Sequence, residues 1–459
     1  MSRFIDRKQE LNFLEEKFKE GKQLIILYGR RRVGKTELIK KFCEGKEHIY
    51  FLADKRGTLL NAERFANIVA EHFNDVPPKV KNFDDVFAYI AKRLNEGKFL
   101  IVIDEFSYLI EKDDSIPSVF QLIWDEILKD TNVTLILCGS LVSMMENLLS
   151  YKSPLYGRRT GQWKLLPLMF KDAQQFFPNY SMEEKIIAYS ILGGIPFYLS
   201  MFDDRKDVFT NVKEKILSKG EILYEEVEFL LREELKDYST YLSILEAIAR
   251  ENSRISEIAN FCKMQAKDLP KYLNVLMKLD IIEKVFPITE KRTTKKTIYK
   301  IKDNFFDFYF RFVYPFKNEL EIGNIEKVVE IIKRDLNSFV GKKFEDISRE
   351  FLLQMNIKSL LPFRFSDIGT WWEKDKEIDI VAFNKEEKKI LFCEVKWQDL
   401  SNRKAEEIIE NLKEKAKIVK WFNEKRKEYF CLIGKKIESK RDLREKGYLV
   451  FDLEDFSNY

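Results

Sequence analysis

Histidine and cysteine are scarce: two histidines, His48 and His72, and five cysteines, Cys43, Cys138, Cys262, Cys393 and Cys431, occur in 459 residues. The cysteines are scattered and odd in number, with no CxxC pair, so neither a disulfide framework nor a zinc site is expected. Any metal chemistry must therefore rest on carboxylates. No apolar run approaches the roughly 20 residues that cross a bilayer, and the opening MSRFIDRKQE has no apolar signal core. A membrane partner is excluded on that pattern, and a cytoplasmic location is expected. Charge of one sign is also lacking: 80 Lys and Arg stand against 76 Asp and Glu. A balance so near zero predicts no nucleic-acid binding by itself, because that needs a local basic cluster.

The chain has no low-complexity linker and no internal repeat. Its length suggests about three domains, and 45% hydrophobic content is enough to fill their cores. The dense Lys and Glu, within 34% charged residues, fit a thermophile, where ion-pair networks cost less at high temperature.

The strongest motif is Gly29-Arg30-Arg31-Arg32-Val33-Gly34-Lys35-Thr36, which follows the apolar run Leu24–Leu27 and precedes the helical pattern Glu37–Phe42. This is the strand, GxxxxGKT loop and helix of a P-loop. Its glycines let successive backbone N–H groups curl round phosphate oxygens at a helix N-terminus, where the dipole favours anions. Lys35 would reach the terminal phosphates and Thr36 would hold Mg²⁺. A second motif supports it. Phe99–Ile103 is an unbroken apolar run ending in Asp104-Glu105, a buried strand with Asp104 placed for the Mg²⁺ shell and Glu105 placed to polarise the attacking water.

The run Thr134–Cys138 ends in Gly139-Ser140. Ser140 would either emerge near the γ-phosphate as a sensor or cap the following helix. In Tyr156-Gly157-Arg158-Arg159-Thr160-Gly161, Arg158 and Arg159 are candidates for an arginine finger, with solvated surface arginine as the alternative.

Taken together, the box Phe4–Leu11, the GRRRVGKT loop, the FLIVIDEF and LILCGS strands, the SPLYGRRTG turn and Gly193-Gly194-Ile195-Pro196 resemble the archaeal and bacterial ATPase family of the STAND/AAA+ group. The resemblance covers roughly the first half of the chain. It implies ATP as the nucleotide and places Pro196 of a GxP motif near the adenine.

From Tyr241 the pattern changes to three short helices, marked by Leu242, Leu245 and Ile248, by Ile255, Ile258 and Phe261, and by Leu269, Tyr272, Leu273 and Leu276. Strand-like runs Ile281–Phe286 and Thr297–Ile301 follow, with Lys291, Arg292, Lys295 and Lys296 between them. The order reads as a winged helix-turn-helix whose basic wing suits DNA phosphates, protein packing being the alternative. The aromatic stretch from Phe305 to Phe316 reads as core.

Near the C-terminus, Ile378–Ala382 and Ile390–Trp397 read as a hairpin, with Glu394 and Lys396 on one face and Asp379 across from them. Two carboxylates and an ammonium suit metal-dependent phosphodiester cleavage. The segment resembles the PD-(D/E)xK nuclease superfamily over about residues 336 to 459, and Glu345 matches that family's additional acidic position. Ile378 stands where its signature proline would be. The alternative is an internal ion-pair network.

The expected fold class is α/β: a P-loop NTPase parallel sheet (1–165), a helical lid (166–235), a winged helix-turn-helix with a connecting helix (236–335) and a restriction-endonuclease-like α/β domain (336–459). The expected function is ATP hydrolysis coupled to DNA binding and metal-dependent cleavage. The alternative is a STAND-type switch, with ATP-dependent self-association and a non-catalytic C-terminal domain.

Overall fold

In the computed structural model, residues 4–235 and 237–457 are described. They form two compact units. The first runs to Pro167 and takes in Ile195–Phe197; the second comprises Leu168–Gly194 and the chain from Tyr198 onward.

The first unit is built on five parallel strands: β1 (Gln23–Tyr28), β2 (His48–Leu52), β3 (Phe99–Asp104), β4 (Val133–Gly139) and β5 (Gly161–Lys164). Their order is β2-β3-β4-β1-β5. Every residue of β1, β3 and β4 is buried, which explains their continuous apolar runs: a parallel sheet covered by helices on both faces has no wet side to alternate with. Because β4 lies between β1 and β3, its C-terminal end emerges between the phosphate-loop strand and the acidic strand. Four of these strands follow the apolar runs. The fifth was not legible, and Gly161 begins it rather than closing a turn. A Cβ at Gly161 would stand 2.9 Å from Phe13 Cζ, and Trp163 packs on Phe13, so tertiary contacts make this short, half-exposed edge strand.

In the second unit, helices Tyr238–Ala249, Ile255–Phe261 and Leu269–Lys278 precede the antiparallel pair β6 (Ile282–Val285) and β7 (Ile298–Ile301). Phe305, Phe306, Phe308, Tyr309 and Phe310 are buried, so this stretch is core and its rings have no free faces on which to stack bases. A helix of 33 residues, Ile325–Ile357, comes next. The expected boundary at 335/336 lies inside it: Leu336, Phe339, Val340, Phe344 and Ile347 keep one apolar stripe running through that point.

The chain ends in a mixed sheet of β8 (Asp367–Glu373), β9 (Lys376–Asn384), β10 (Lys389–Leu400), β11 (Lys427–Ile437) and β12 (Leu449–Phe451), in the order β12-β11-β10-β9-β8. Strands β8, β9 and β10 are antiparallel and β10, β11 and β12 parallel, with helix Asn402–Ile418 crossing from β10 to β11. The expected C-terminal hairpin is the β9–β10 pair, in register at Phe392 and Val381. Among the described residues, no helix is long and apolar enough to cross a membrane.

The long helix also carries Glu350, whose carboxylate accepts a hydrogen bond from Phe170 N at 2.9 Å. Burial first, then Asp172, pushes its carboxyl from the ordinary 4.5 up to about 7, against the pull of that amide and of Arg349. The folded chain therefore keeps a proton that the unfolded chain releases, so stability falls as pH rises through 4.5 to 7. Partial exposure of the side chain brings the cost to about 2 kcal/mol. Glu350→Gln keeps an acceptor for Phe170 and is expected to flatten that fall and raise the melting temperature at pH 8 by a few degrees, read by thermal unfolding across pH. An unchanged pH profile would refute the assignment.

Candidate functional site

The loop after β1 is tightly constrained. A Cβ at Gly29 would lie 2.4 Å from Leu165 O, and Gly34, which precedes the helix Lys35–Cys43, has φ of 96°, a left-handed conformation that glycine adopts without penalty. Lys35, only 5% exposed, donates to the carbonyls of Gly29 (2.8 Å) and Arg30 (3.0 Å), so the loop closes round its own ammonium. The Val33 carbonyl accepts from Arg7 at 2.9 Å, and Arg7 pairs with Glu10 at 3.1 Å. Arg30 is buried, Arg31 donates to the Tyr108 hydroxyl, and Arg32 lies 4.2 Å from the Phe197 ring centroid. Pro196 Cγ stands 3.8 Å from where a Gly34 Cβ would be. Gly29 through Thr36 and Pro196, widely separated in sequence, thus come together.

The acidic strand meets the loop through Thr36, whose hydroxyl donates to Asp104 Oδ2 at 2.9 Å. The same oxygen accepts from Tyr50 at 2.6 Å, while Glu105 N donates to Oδ1 at 2.9 Å. Burial and then the Asp104 hydrogen bond raise the Tyr50 hydroxyl pKa, so it remains a donor. Glu105 Oε2 accepts from the Ser140 hydroxyl at 2.6 Å and from its amide at 3.3 Å. Ser140 does not cap the next helix, Val142–Leu148, whose N-cap is Leu141.

Arg158 pairs with Asp125 at 2.8 Å and donates to Pro154 O; Arg159 donates to Tyr156 O and lies over the Tyr156 ring. Arg158 thus reaches back to Asp125 while the contacts of Arg159 stay within its own turn, and neither set of contacts includes the loop. Sequence reasoning missed Arg7, Tyr50, Tyr108 and Phe197. Tyr50 had a faint signal: it lies two residues before Leu52 on one strand face, and Leu52 pairs with Asp104.

A second cluster lies in the C-terminal sheet. Lys396 Nζ is 3.1 Å from Asp379 Oδ2 and 2.7 Å from Glu394 Oε2. Val395 N donates to Asp379 at 2.8 Å, and Lys415 reaches the other Glu394 oxygen at 2.5 Å. Burial, then Glu394, pushes Asp379 up to about 6; burial, then Asp379, pushes Glu345 up to about 7, with Lys300 of β7 favouring its charged form. Burial opposes the Glu394 charge, but Lys396 and Lys415 overcome it and hold that carboxyl below its ordinary value. Burial likewise opposes the Lys396 charge, yet Asp379 and Glu394 raise its pKa. Among the described residues, no three His, Cys, Asp or Glu side chains are arranged as a ready metal cage. An ammonium stands between Asp379 and Glu394 instead.

Residues 4–202 match a family described as an ATPase domain predominantly from Archaea. Residues 309–408 match a family of archaeal and bacterial proteins of unknown function. An uncharacterized protein of Methanocaldococcus jannaschii is 41% identical over 457 residues, spanning 99% of this chain and 100% of that one. An uncharacterized ATP-binding protein of the same organism is 69% identical over 45 residues, 10% of this chain and 76% of that protein. The Walker-type ATPase of Pyrococcus abyssi, at TM-score 0.50 and 23% identity over 67% of this chain and 96% of that one, shares the fold. The chain is therefore a P-loop ATPase, and it belongs to the family of its full-length M. jannaschii relative, with an archaeal-type ATPase domain in its first half.

Proposed function

We propose that ATP hydrolysis in the first unit governs DNA engagement, and metal-dependent DNA cleavage, by the second. Lys35 grips the terminal phosphates once ATP displaces the Gly29 and Arg30 carbonyls from its ammonium, and backbone N–H groups of residues 29–36 take the remaining phosphate oxygens. Thr36 and Asp104, already joined by a hydrogen bond, are the hard oxygen donors that suit Mg²⁺; the ion supplies neutralisation of phosphate charge. Glu105 takes the proton of the attacking water. Ser140 holds that carboxylate until a γ-phosphate competes for its hydroxyl. Pro196 borders the adenine. Arg158 and Arg159 take no part in this reading.

In the second unit, the three helices and the β6–β7 pair are read as a winged helix-turn-helix, whose exposed Lys291, Arg292 and Lys295 contact DNA phosphates. The observation that carries cleavage is the convergence of Asp379 and Glu394 on Lys396, on a sheet with the helix-β-β-β-helix-β order of the PD-(D/E)xK fold that it resembles. Asp379, Glu394 and Glu345, which as they stand are not gathered into a metal cage, would hold a divalent ion only once drawn together, and the chemistry it would supply is activation of water and stabilisation of the leaving oxygen. Lys396 orients the water. A cytoplasmic location accompanies this reading.

Cleavage of linear, nicked and branched DNA with Mg²⁺ or Mn²⁺ tests it. Asp379→Ala with Lys396→Ala is expected to lower the rate by at least about 100-fold, with ATP turnover unchanged. Cleavage persisting in the double variant would remove the nuclease assignment. One observation favours the second reading, a non-catalytic switch: Lys415 also closes on Glu394, as in a purely structural ion network.

A further inference from the structure

The β6–β7 hairpin is a two-stranded sheet of its own, and its loop docks on the edge of the C-terminal sheet. Ile288, in that loop, donates its amide to Thr370 O of β8 at 2.9 Å, which occupies one acceptor of that edge. The Ile288 side chain packs against the C-terminal core around Trp371, Ile378 and Val381. At the base of the hairpin, Lys343 of the long helix is buried against Asp307 at 2.6 Å and reaches Ile301 O at 3.5 Å. On the loop itself, Lys296 is paired with Glu290 at 2.8 Å.

We propose that the hairpin is a fixed wall at the edge of the sheet that carries Asp379, Glu394 and Lys396. A DNA duplex gripped by Lys291, Arg292 and Lys295 therefore meets that sheet on one rigid surface. This rests on the DNA reading above and adds to it that no separate swinging of the wing delivers the substrate. The physical reason is burial. Freeing the hairpin would expose Ile288, leave Thr370 O without its partner at a sheet edge and take Ile301 O from Lys343. Each of these opposes detachment.

A disulfide tests the fixed geometry. A Cβ at Gly369 would lie 3.3 Å from Ile288 Cβ, close to the roughly 3.5 Å at which cysteine pairs bridge. Ile288→Cys with Gly369→Cys, in a Cys262→Ser background, is oxidised and reduced from one preparation, so each form controls the folding of the other. Binding of a short fluorescein-labelled duplex is read by anisotropy in Ca²⁺. The oxidised protein is expected to bind within about twofold of the reduced one, and Lys291→Ala with Arg292→Ala and Lys295→Ala to weaken binding at least about tenfold and lower the salt slope by about three. Loss of binding on oxidation, with wild type still binding, overturns the fixed wall alone; a triple variant that binds like wild type overturns the phosphate contacts given to the wing. Wild type that never binds duplex removes the DNA reading and this proposal with it.

Discussion

Lys35→Ala is expected to abolish ATP turnover, a fall of at least about 100-fold, with far-ultraviolet dichroism unchanged. The lysine is the first residue of its helix and is buried with two backbone carbonyls, Gly29 O and Arg30 O, as the recipients of its ammonium. A charged donor held inside a loop of glycine-linked amides, with neutral carbonyls for partners, would gain by exchanging them for charged phosphate oxygens. That exchange strengthens as charge develops on the transferred phosphoryl group, so the ammonium stabilises the transition state more than the ground state. Alanine leaves the loop amides in place but removes the ammonium that they surround. The two carbonyls lose a donor, at a cost of about 1 to 3 kcal/mol, which a protein of this size tolerates. Phosphate release and calorimetric binding of ATP with Mg²⁺ separate the effects: turnover falls and affinity falls with it. Glu105→Gln is the contrast, since it keeps the Ser140 hydrogen bond, removes the base and leaves binding intact. Turnover by Lys35→Ala within about threefold of wild type would sink the role given to the loop.

The first site was legible because its chemistry is local. Glycine at positions 29 and 34, lysine at 35 and threonine at 36 lie in one stretch of eight residues, and Asp104 ends a strand whose apolar run is unmistakable. What could not be read was whatever depends on strand order. Tyr50 reaches Asp104 only because β2 lies beside β3, and Ser140 reaches Glu105 because β4 is inserted between β3 and β1. Arg7 showed itself only as part of a family-like box; its bond to Val33 O is a tertiary contact with no periodic signature. In the C-terminal sheet, alternation was enough to place Glu394 and Lys396 on one face and Asp379 opposite, because a hairpin is itself local. The joining of the hairpin loop at Ile288 to β8 was not legible, nor was the continuity of the helix Ile325–Ile357 across the expected boundary. In that helix the stripe of Leu336, Phe339, Val340 and Phe344 gives no sign that Lys343 serves β7 and that Glu350, two turns further on, serves Phe170.

The second large effect is expected at Gly194. Gly194→Ala should destabilise the protein by about 3 kcal/mol, near the upper end of what overpacking costs, and weaken ATP binding. A Cβ there would be 1.8 Å from Leu168 O and 2.7 Å from both Leu168 N and Leu168 C. These are backbone atoms, held by the hydrogen bond from Leu168 N to Gly194 O at 2.7 Å, so no side chain can turn aside to make room. Ile195, Pro196 and Phe197 follow directly in the chain. Pro196 borders Gly34, and Phe197 carries the Arg32 guanidinium, so a shift of even part of an ångström at residue 194 is felt in the phosphate loop. The neighbouring glycine supplies the control. Gly193 has φ of 65°, yet the nearest atom to its Cβ would be Asn304 Cβ at 3.5 Å. Gly193→Ala meets no close atom, but at φ 65° and ψ −158° it puts a side chain on a backbone region that is essentially glycine's own, at a cost of about 1 to 3 kcal/mol. Both variants are therefore expected to melt several degrees below wild type in thermal unfolding, and the dissociation constant for ATP should rise in Gly194→Ala alone. A Gly194→Ala melting temperature equal to that of wild type would mean that the Leu168 segment yields.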